Sequence, residues 1–260
     1  MAQAYGPAFA RVYNRLWAGF AAQHAPLIRE YYAGTAIGRI NRDLLDVCCG
    51  TGQLARHFLE HGYRVTGVDL SEPMLALARE NCREYTADGR ARFVQADASQ
   101  FAVGGPFGLA VSTFDALNHL SDFESLAGCF KSVRAALAQG GWFIFDLNTR
   151  LGLRRWNTIH VDDTEELMLV NRGVYDGRSD RAYTILTGFT RNADGAYDRF
   201  EEAAYNTVFD LGQVRGELLA TGWRAVHFAR AQALASPLDD PESEGRVFVV
   251  AHKGGASESA

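Results

Sequence analysis

Hydrophobic positions along this chain follow alternating strand and helix spacings up to about residue 150. From about 151 to 209 they show strand spacing alone, then return to helix and strand. In the first 35 residues Tyr5, Phe9, Tyr13, Leu16, Trp17 and Phe20 recur at helical spacing, interrupted near Pro7 and Pro26, which predicts two short amphipathic helices. Strands are predicted over 64–69, 91–98, 109–114 and 142–148. Ser71 caps a helix with Pro73 in its first turn and Met74, Leu75, Leu77 and Ala78 on its buried side. A capping box, Ser121-Asp122-Phe123-Glu124, opens another whose apolar residues fall at three- and four-residue steps until Gly140-Gly141 ends it.

Beyond residue 150 the spacing predicts strands over 167–175, 182–191 and 197–209. They are separated by Asp176-Gly177-Arg178 and Asn192-Ala193-Asp194-Gly195, which is hairpin-turn chemistry. A helix over 211–221, a strand over 223–230, an exposed acidic loop over 235–245 and a last strand over 246–252 follow. The order is that of an α/β protein with an antiparallel flap inserted after the fifth strand.

The chemistry concentrates at the ends of the early strands. The apolar pair Leu44-Leu45 leads into a turn where Gly50 and Gly52 let the backbone pass close to a ligand, and the next helix aims its first amides there. The second strand ends in Asp69, a carboxylate placed to accept both hydroxyls of a ribose. Residues 50–55 also satisfy the loose glycine pattern of the NAD fold, a weak signal alone. Asp46, inside the first strand, would repel a pyrophosphate but attract an ammonium or sulfonium group. Asp97, ending the third strand, suits the exocyclic amine of adenine, and Asp115, Asn118 and His119 form a polar cluster after the fourth.

With these motifs in place the chain resembles the class I S-adenosylmethionine-dependent methyltransferases over roughly residues 5–253. LLDVCCGTGQL corresponds to the family's first motif, GVDLSEPML to its second, QADA to its third, FGLAVSTFDALNHL to its fourth, and LAQGGWFIFDLN to the run into its fifth strand. The resemblance implies a Rossmann-like, seven-stranded, mostly parallel sheet with helices on both faces and an inserted antiparallel β lid. It also implies S-adenosylmethionine as cofactor and S-adenosylhomocysteine as product. On this reading Asp46, Gly50 and Gly52 hold the methionine part, Asp69 the ribose, Leu70 and Met74 the adenine faces, and Asp97 with Ala98 its edge. Tyr13 and Tyr5 close over the methionine carboxylate, with Cys48 and Phe114 beside the cofactor. Gly108, where the family usually has Asp, and the Cys48-Cys49 pair, where small residues are commoner, depart from the pattern. Residues 1–150 then form the cofactor-binding core with its helical cap, 151–209 the lid, 210–253 the completion of the sheet, and 254–260 a flexible tail.

Composition narrows the function. With 260 residues, 47% of them hydrophobic, the chain can bury a full core. A net charge of -5 argues against a nucleic-acid surface. The only lysines are Lys131 and Lys253, which leaves the lysine-dependent dehydrogenase and Schiff-base chemistries without a candidate. Cysteines at 48, 49, 82 and 129 have no metal-ligand spacing, so no metal is expected, and they suit a reducing cytoplasm. There is no signal-peptide pattern and no apolar run of membrane length, so a cytoplasmic location is expected.

A lid over the cofactor edge favours a small acceptor, enclosed by Trp156, His160, Arg172 and Tyr175. His119 is the candidate base for a hydroxyl or ammonium acceptor, and Asp115, Asn118, Asp146 and Asn148 are candidates for orienting it. The sequence thus points to methyl transfer to oxygen or nitrogen of a small metabolite. A NAD(P)-dependent oxidoreductase and a non-catalytic S-adenosylmethionine-binding protein stand as alternatives.

Overall fold

In the computed structural model, which describes residues 5–17, 19–192 and 194–255, two helices, α1 (Pro7–Leu16) and α2 (Gly19–Ala33), precede the first strand. Pro7 sits in the first turn of α1, where its missing N–H is no loss. Pro26 lies inside α2, so the interruption expected there does not occur. Burial of Ala25, Ile28 and Tyr32 outweighs the one hydrogen bond that proline cannot donate.

The core then alternates: β1 (Asp43–Val47), α3 (Gln53–Glu60), β2 (Arg64–Asp69), α4 (Glu72–Asn81), α5 (Arg83–Ala87), β3 (Ala91–Gln95) and β4 (Phe107–Ser112). After these come α6 (Phe123–Ala136) and β5 (Leu137–Asn148). A short α7 (Arg150–Arg154) leads into β6 (Ile159–Asp163), β7 (Leu167–Asp176), β8 (Arg181–Arg191) and β9 (Tyr197–Thr207). The chain then returns to the core with α8 (Leu211–Ala220), β10 (Ala225–Ala229) and β11 (Arg246–His252).

Seven strands form one sheet in the order β10-β11-β5-β4-β1-β2-β3, with β11 antiparallel to both neighbours and the rest parallel. The strand order reverses between β1 and β4. Ligands of such sheets bind in the crevice outside the carboxyl ends of the strands at that reversal. Apolar side chains fill both faces: Phe130, Phe143, Trp223 and Val249 on one, Tyr32, Phe58, Leu75 and Phe248 on the other. The four remaining strands pair in sequence as a separate antiparallel sheet, β6-β7-β8-β9. Its inner face packs Leu167, Leu169, Leu186 and Phe200 against Phe9 and Val12 of α1 and Met74 of α4. Glu202 of β9 ties the same helix down, its carboxylate accepting the amides of Gly6 and Phe9 at 3.0 and 3.1 Å.

Four local features differ from the sequence pattern. Asp122 rather than Ser121 caps α6, accepting the Ser125 amide at 2.8 Å. β5 starts at Leu137, ahead of the glycine pair, because Leu137 already pairs with Phe107 and the irregularity at Gly140-Gly141 is absorbed within the strand. The short α7 and the edge strand β6 carry too few apolar residues to register as elements. Of the expected flexible tail, residues 256–260 lie outside the described residues, as does Ala193 of the second hairpin turn. Among the described residues no helix is long and apolar enough to cross a membrane, and no group of three or more His, Cys, Asp or Glu could hold a metal ion.

Gly108, the departure in the fourth motif, has a packing cause. A Cβ there would fall 2.0 Å from the Tyr32 hydroxyl, which is fixed by donating to the Asn41 carbonyl at 2.9 Å. We expect Gly108→Ala to cost about 1–3 kcal/mol in urea unfolding, with part of the loss recovered when it is combined with Tyr32→Phe. An unchanged midpoint for the single variant would show that the hydroxyl moves aside freely.

Candidate active site

The carboxyl ends of β1 to β4 open on one cavity of about 560 Å³, walled by α1 and roofed by the inner face of the lid. The turn after β1 is left-handed at Cys48 (φ 58°), Gly50 (φ 53°) and Gly52 (φ 81°). Glycine meets that demand without strain at two positions, and Cys48 bears it at the cavity wall. The Gly50 amide donates to Asp69 Oδ2 and the Ser71 amide to Asp69 Oδ1, both at 2.9 Å. Burial raises the Asp69 pKa while these amides oppose the shift. The carboxylate lines the cavity, and the acceptor capacity left beside these amides suits a vicinal diol.

The end of β4 is also strained. Phe114 (φ 67°) and Asp115 (φ 48°) are consecutive non-glycine residues in the left-handed region. Asp146, at the end of β5, accepts both of their amides at 2.6 and 2.9 Å, and Arg246 of β11 donates to Asp146 and, at 2.6 Å, to Asp115. The Arg246 guanidinium also lies over Phe20, 4.9 Å from the ring centroid. Burial raises the Asp146 pKa and Arg246 opposes it.

A single 3-10 turn, Ala116–His119, follows. His119 Nδ1 lies 2.8 Å from the Tyr205 carbonyl, which can only accept, so Nδ1 carries the proton and Nε2 the lone pair. The Tyr5 hydroxyl sits 2.8 Å from Nε2 and donates to it. Burial lowers the His119 pKa, with Asp115 acting against it, so the ring is neutral at pH 7.

The cavity wall brings together most of the sequence candidates. Tyr5, Tyr13, Cys48 and Gly50 line it beside Asp69, Leu70 and Met74, with Asp97, Ala98 and Phe114 completing that half. Asp115, His119, Trp156 and His160 line the half nearer the lid.

Seven candidates fall elsewhere. Asp46 is buried behind the wall, and burial, with Asp69 nearby, pushes its pKa up to about 8. Its Oδ2 makes no hydrogen bond among the described residues. Gly52 serves the close approach of α4, since a Cβ there would sit 3.1 Å from that of Ala78. Asp146 holds the β4 turn rather than facing a ligand. Asn118 and Asn148 bond each other, with the Asn148 amide on Asn118 Oδ1 at 2.9 Å and Asn118 Nδ2 on the Thr207 carbonyl at 2.9 Å. Arg172 is exposed on the outer face of the lid, because strand alternation sends its neighbours Asn171 and Gly173 inward. Tyr175 stands outside the wall, its amide bonded to Asn157.

Sequence reasoning missed Thr158, Asn171, Thr184 and Asn206 of the lid, and Arg246, which also line the cavity. Alternation marks Asn171 and Thr184 as same-face residues once β7 and β8 are paired. Nothing local marks Arg246, whose acidic partners are 100 and 131 residues away.

Residues 44–141 match the model of a methyltransferase domain family, the span from β1 into β5 that builds the glycine turn, Asp69, Asp97 and the β4 turn. The chain carries a methyltransferase domain over this span, on the fold of the S-adenosylmethionine-dependent methyltransferases. A protein of Geobacillus sp. named as a methyltransferase is 27% identical to this methyltransferase over 214 residues, covering 81% of this chain and 84% of its own. The crystal structure of an S-adenosylmethionine-dependent methyltransferase from Clostridium acetobutylicum superposes with a TM-score of 0.77 at 23% identity, over 95% of this chain and 98% of that one. A sugar N-methyltransferase from a Streptoalloteichus species superposes with a TM-score of 0.71 at 25% identity, over 98% and 94%.

Asp46 gives the methyltransferase a pH signature without ligand. A carboxyl whose folded pKa lies above its unfolded one favours folding while protonated, and that contribution is lost as pH rises from about 4 toward 8. We expect Asp46→Asn to match the wild type in thermal midpoint near pH 4 and to exceed it increasingly up to pH 8. A difference that is flat with pH would mean that Asp46 ionises normally in the fold.

Proposed function

We propose that this methyltransferase transfers a methyl group from S-adenosylmethionine to an amino group on a small, hydroxyl-rich metabolite of sugar type. The observation that carries the reading is the continuity of the cavity: an acid-lined half at the glycine turn joins a half roofed by Trp156, Thr158, His160, Asn171, Thr184 and Asn206. Neutral hydroxyl and amide groups beside an indole suit a polyhydroxylated acceptor better than a phosphate polymer or an apolar one. The likeness to a sugar N-methyltransferase supports the same acceptor class.

In the cofactor half, Asp69 takes the ribose hydroxyls, Leu70 and Met74 flank the adenine, and Asp97 with Ala98 meets its edge. Tyr5, Tyr13, Gly50, Cys48 and Phe114 surround the methionine end. Asp46, with an unmatched buried oxygen just behind the turn, favours positive charge there. When bound, S-adenosylmethionine supplies a methyl carbon already activated by the sulfonium. The protein's share is alignment, exclusion of water by the lid, and removal of the acceptor's proton. His119 takes that proton at Nε2, directly in place of the Tyr5 hydroxyl or through it. Its neutral state at pH 7 leaves the lone pair ready.

Calorimetric titration with S-adenosylmethionine, S-adenosylhomocysteine and NADH should give binding of the first two, lost in Asp69→Ala; binding of NADH alone would overturn the proposal. In turnover with amino-sugar acceptors, His119→Gln should lower kcat by about 100-fold or more and leave cofactor affinity in place. The acid limb of the wild-type kcat profile should lie on the acid side of an ordinary histidine titration, the side to which burial moves His119. Full turnover by His119→Gln would remove the histidine from the proton path.

A further inference from the structure

The lid sheet has a second face, turned away from the cavity. In an antiparallel sheet directly opposed residues share a face, and the pairs Ile159–Arg172, Val161–Val170, Met168–Phe189, Val174–Tyr183, Phe189–Arg199 and Arg191–Tyr197 all lie on this one. It carries Ile159, Val161, Met168, Val174, Phe189 and Tyr197, six of the eight large apolar side chains that are exposed among the described residues. Ile159 and Val161 are 67% and 59% exposed, on an edge strand whose five residues are all exposed and which bonds only to β7.

We propose that this face is the interface of a two-fold dimer in which the lid sheets of two copies stack. Five residues of β6 and ten or eleven of each of β7, β8 and β9, at about 3.4 Å per residue and about 4.8 Å between strands, give about 600 Å² per copy. The pair buries about 1,200 Å², at the lower bound of stable protein interfaces, and six exposed apolar side chains gathered on one face mark an interaction surface.

The charges on the face fit a second copy. A two-fold axis along the strands sets β6 of one copy over β9 of the other, which places Asp163 against Arg199 at both ends of the patch. Asp163 and Glu201 stand among Arg172, Arg191 and Arg199, so the face carries both signs, as a self-complementary two-fold contact requires. Stacking would also brace β6, whose His160 alternates inward to the cavity while Ile159 and Val161 face the partner.

Sedimentation velocity and light scattering on the full chain at micromolar concentration should give twice the 28.6 kDa chain mass. Val161→Lys combined with Phe189→Lys should give the monomer with an unchanged circular dichroism spectrum. Should the lysines unfold the lid, charge reversal decides: Asp163→Arg should weaken the dimer and Asp163→Arg with Arg199→Asp should restore it. A monomeric wild type, a dimer that survives the two lysines, or indifference to both charge variants would overturn the interface.

Discussion

The Asp146 carboxylate, buried at the end of β5, is the interaction on which the site depends. Two adjacent residues in the left-handed region cost about 1–3 kcal/mol each, and the strain persists because both of their amides end on this one carboxylate. Burial opposes ionisation of Asp146, and Arg246, reaching in from the antiparallel strand beside it, offsets that penalty while also holding Asp115. A buried pair of this kind adds little net stability compared with apolar residues, yet removing one partner strands the other. Its consequence is geometric: Phe114, Asp115 and the turn that carries His119 are held in one arrangement.

The lid is fixed to that same turn. Thr207 Oγ1 donates to the Leu120 carbonyl at 2.8 Å, Asn118 Nδ2 donates to the Thr207 carbonyl, and His119 donates to the Tyr205 carbonyl. Tyr205 and Thr207 at the end of β9 are thus tied to three successive residues after β4, 118 to 120, with Asn148 joined from β5 through Asn118. Buried polar seams that are this fully matched specify one arrangement of two layers, where an apolar contact would tolerate sliding. The distance between the lid's polar row and the His119 ring is therefore set by backbone bonds. Glu202 adds a second tie, holding α1 with its Tyr13, and Tyr5 just ahead of the helix, against the lid.

What the sequence made legible follows from which forces are local. Strand and helix periods placed every element of the core sheet, and β11 was expected over the residues it occupies, because amphipathic spacing records burial on one face. The glycine turn and Asp69 were readable because φ demands and strand-end placement are properties of a few adjacent residues. Asp146, Asn118 and Asn148 were recognised as special but assigned to the acceptor, since spacing cannot distinguish a polar side chain facing a ligand from one matched inside a seam. Arg246 gave no local sign because its partners come from strands distant in sequence. Gly108 looked like a lapse from the family pattern until Tyr32 from α2 was seen to occupy the space.

The balance of charge around the cavity bears on which cofactor it favours. Asp46, Asp69 and Asp115 cluster near the glycine turn and the β4 turn, and burial first, then these acids, raise the pKa of the nearby Tyr13 hydroxyl. Arg246 is largely committed to Asp115 and Asp146, so it does little to neutralise Asp46 and Asp69. A pyrophosphate at this turn would meet Asp69 and further oppose ionisation of Asp46, with no lysine to offset it, since Lys131 and Lys253 do not line the wall. A ligand bearing a sulfonium and an ammonium relieves the same field, so binding and ionisation of Asp46 reinforce each other. The cost of keeping an acid buried without a partner is thereby converted into preference for a cation, and the glycine turn, which reads equally well for two cofactor classes from its backbone, is biased toward one of them by the carboxylate behind it.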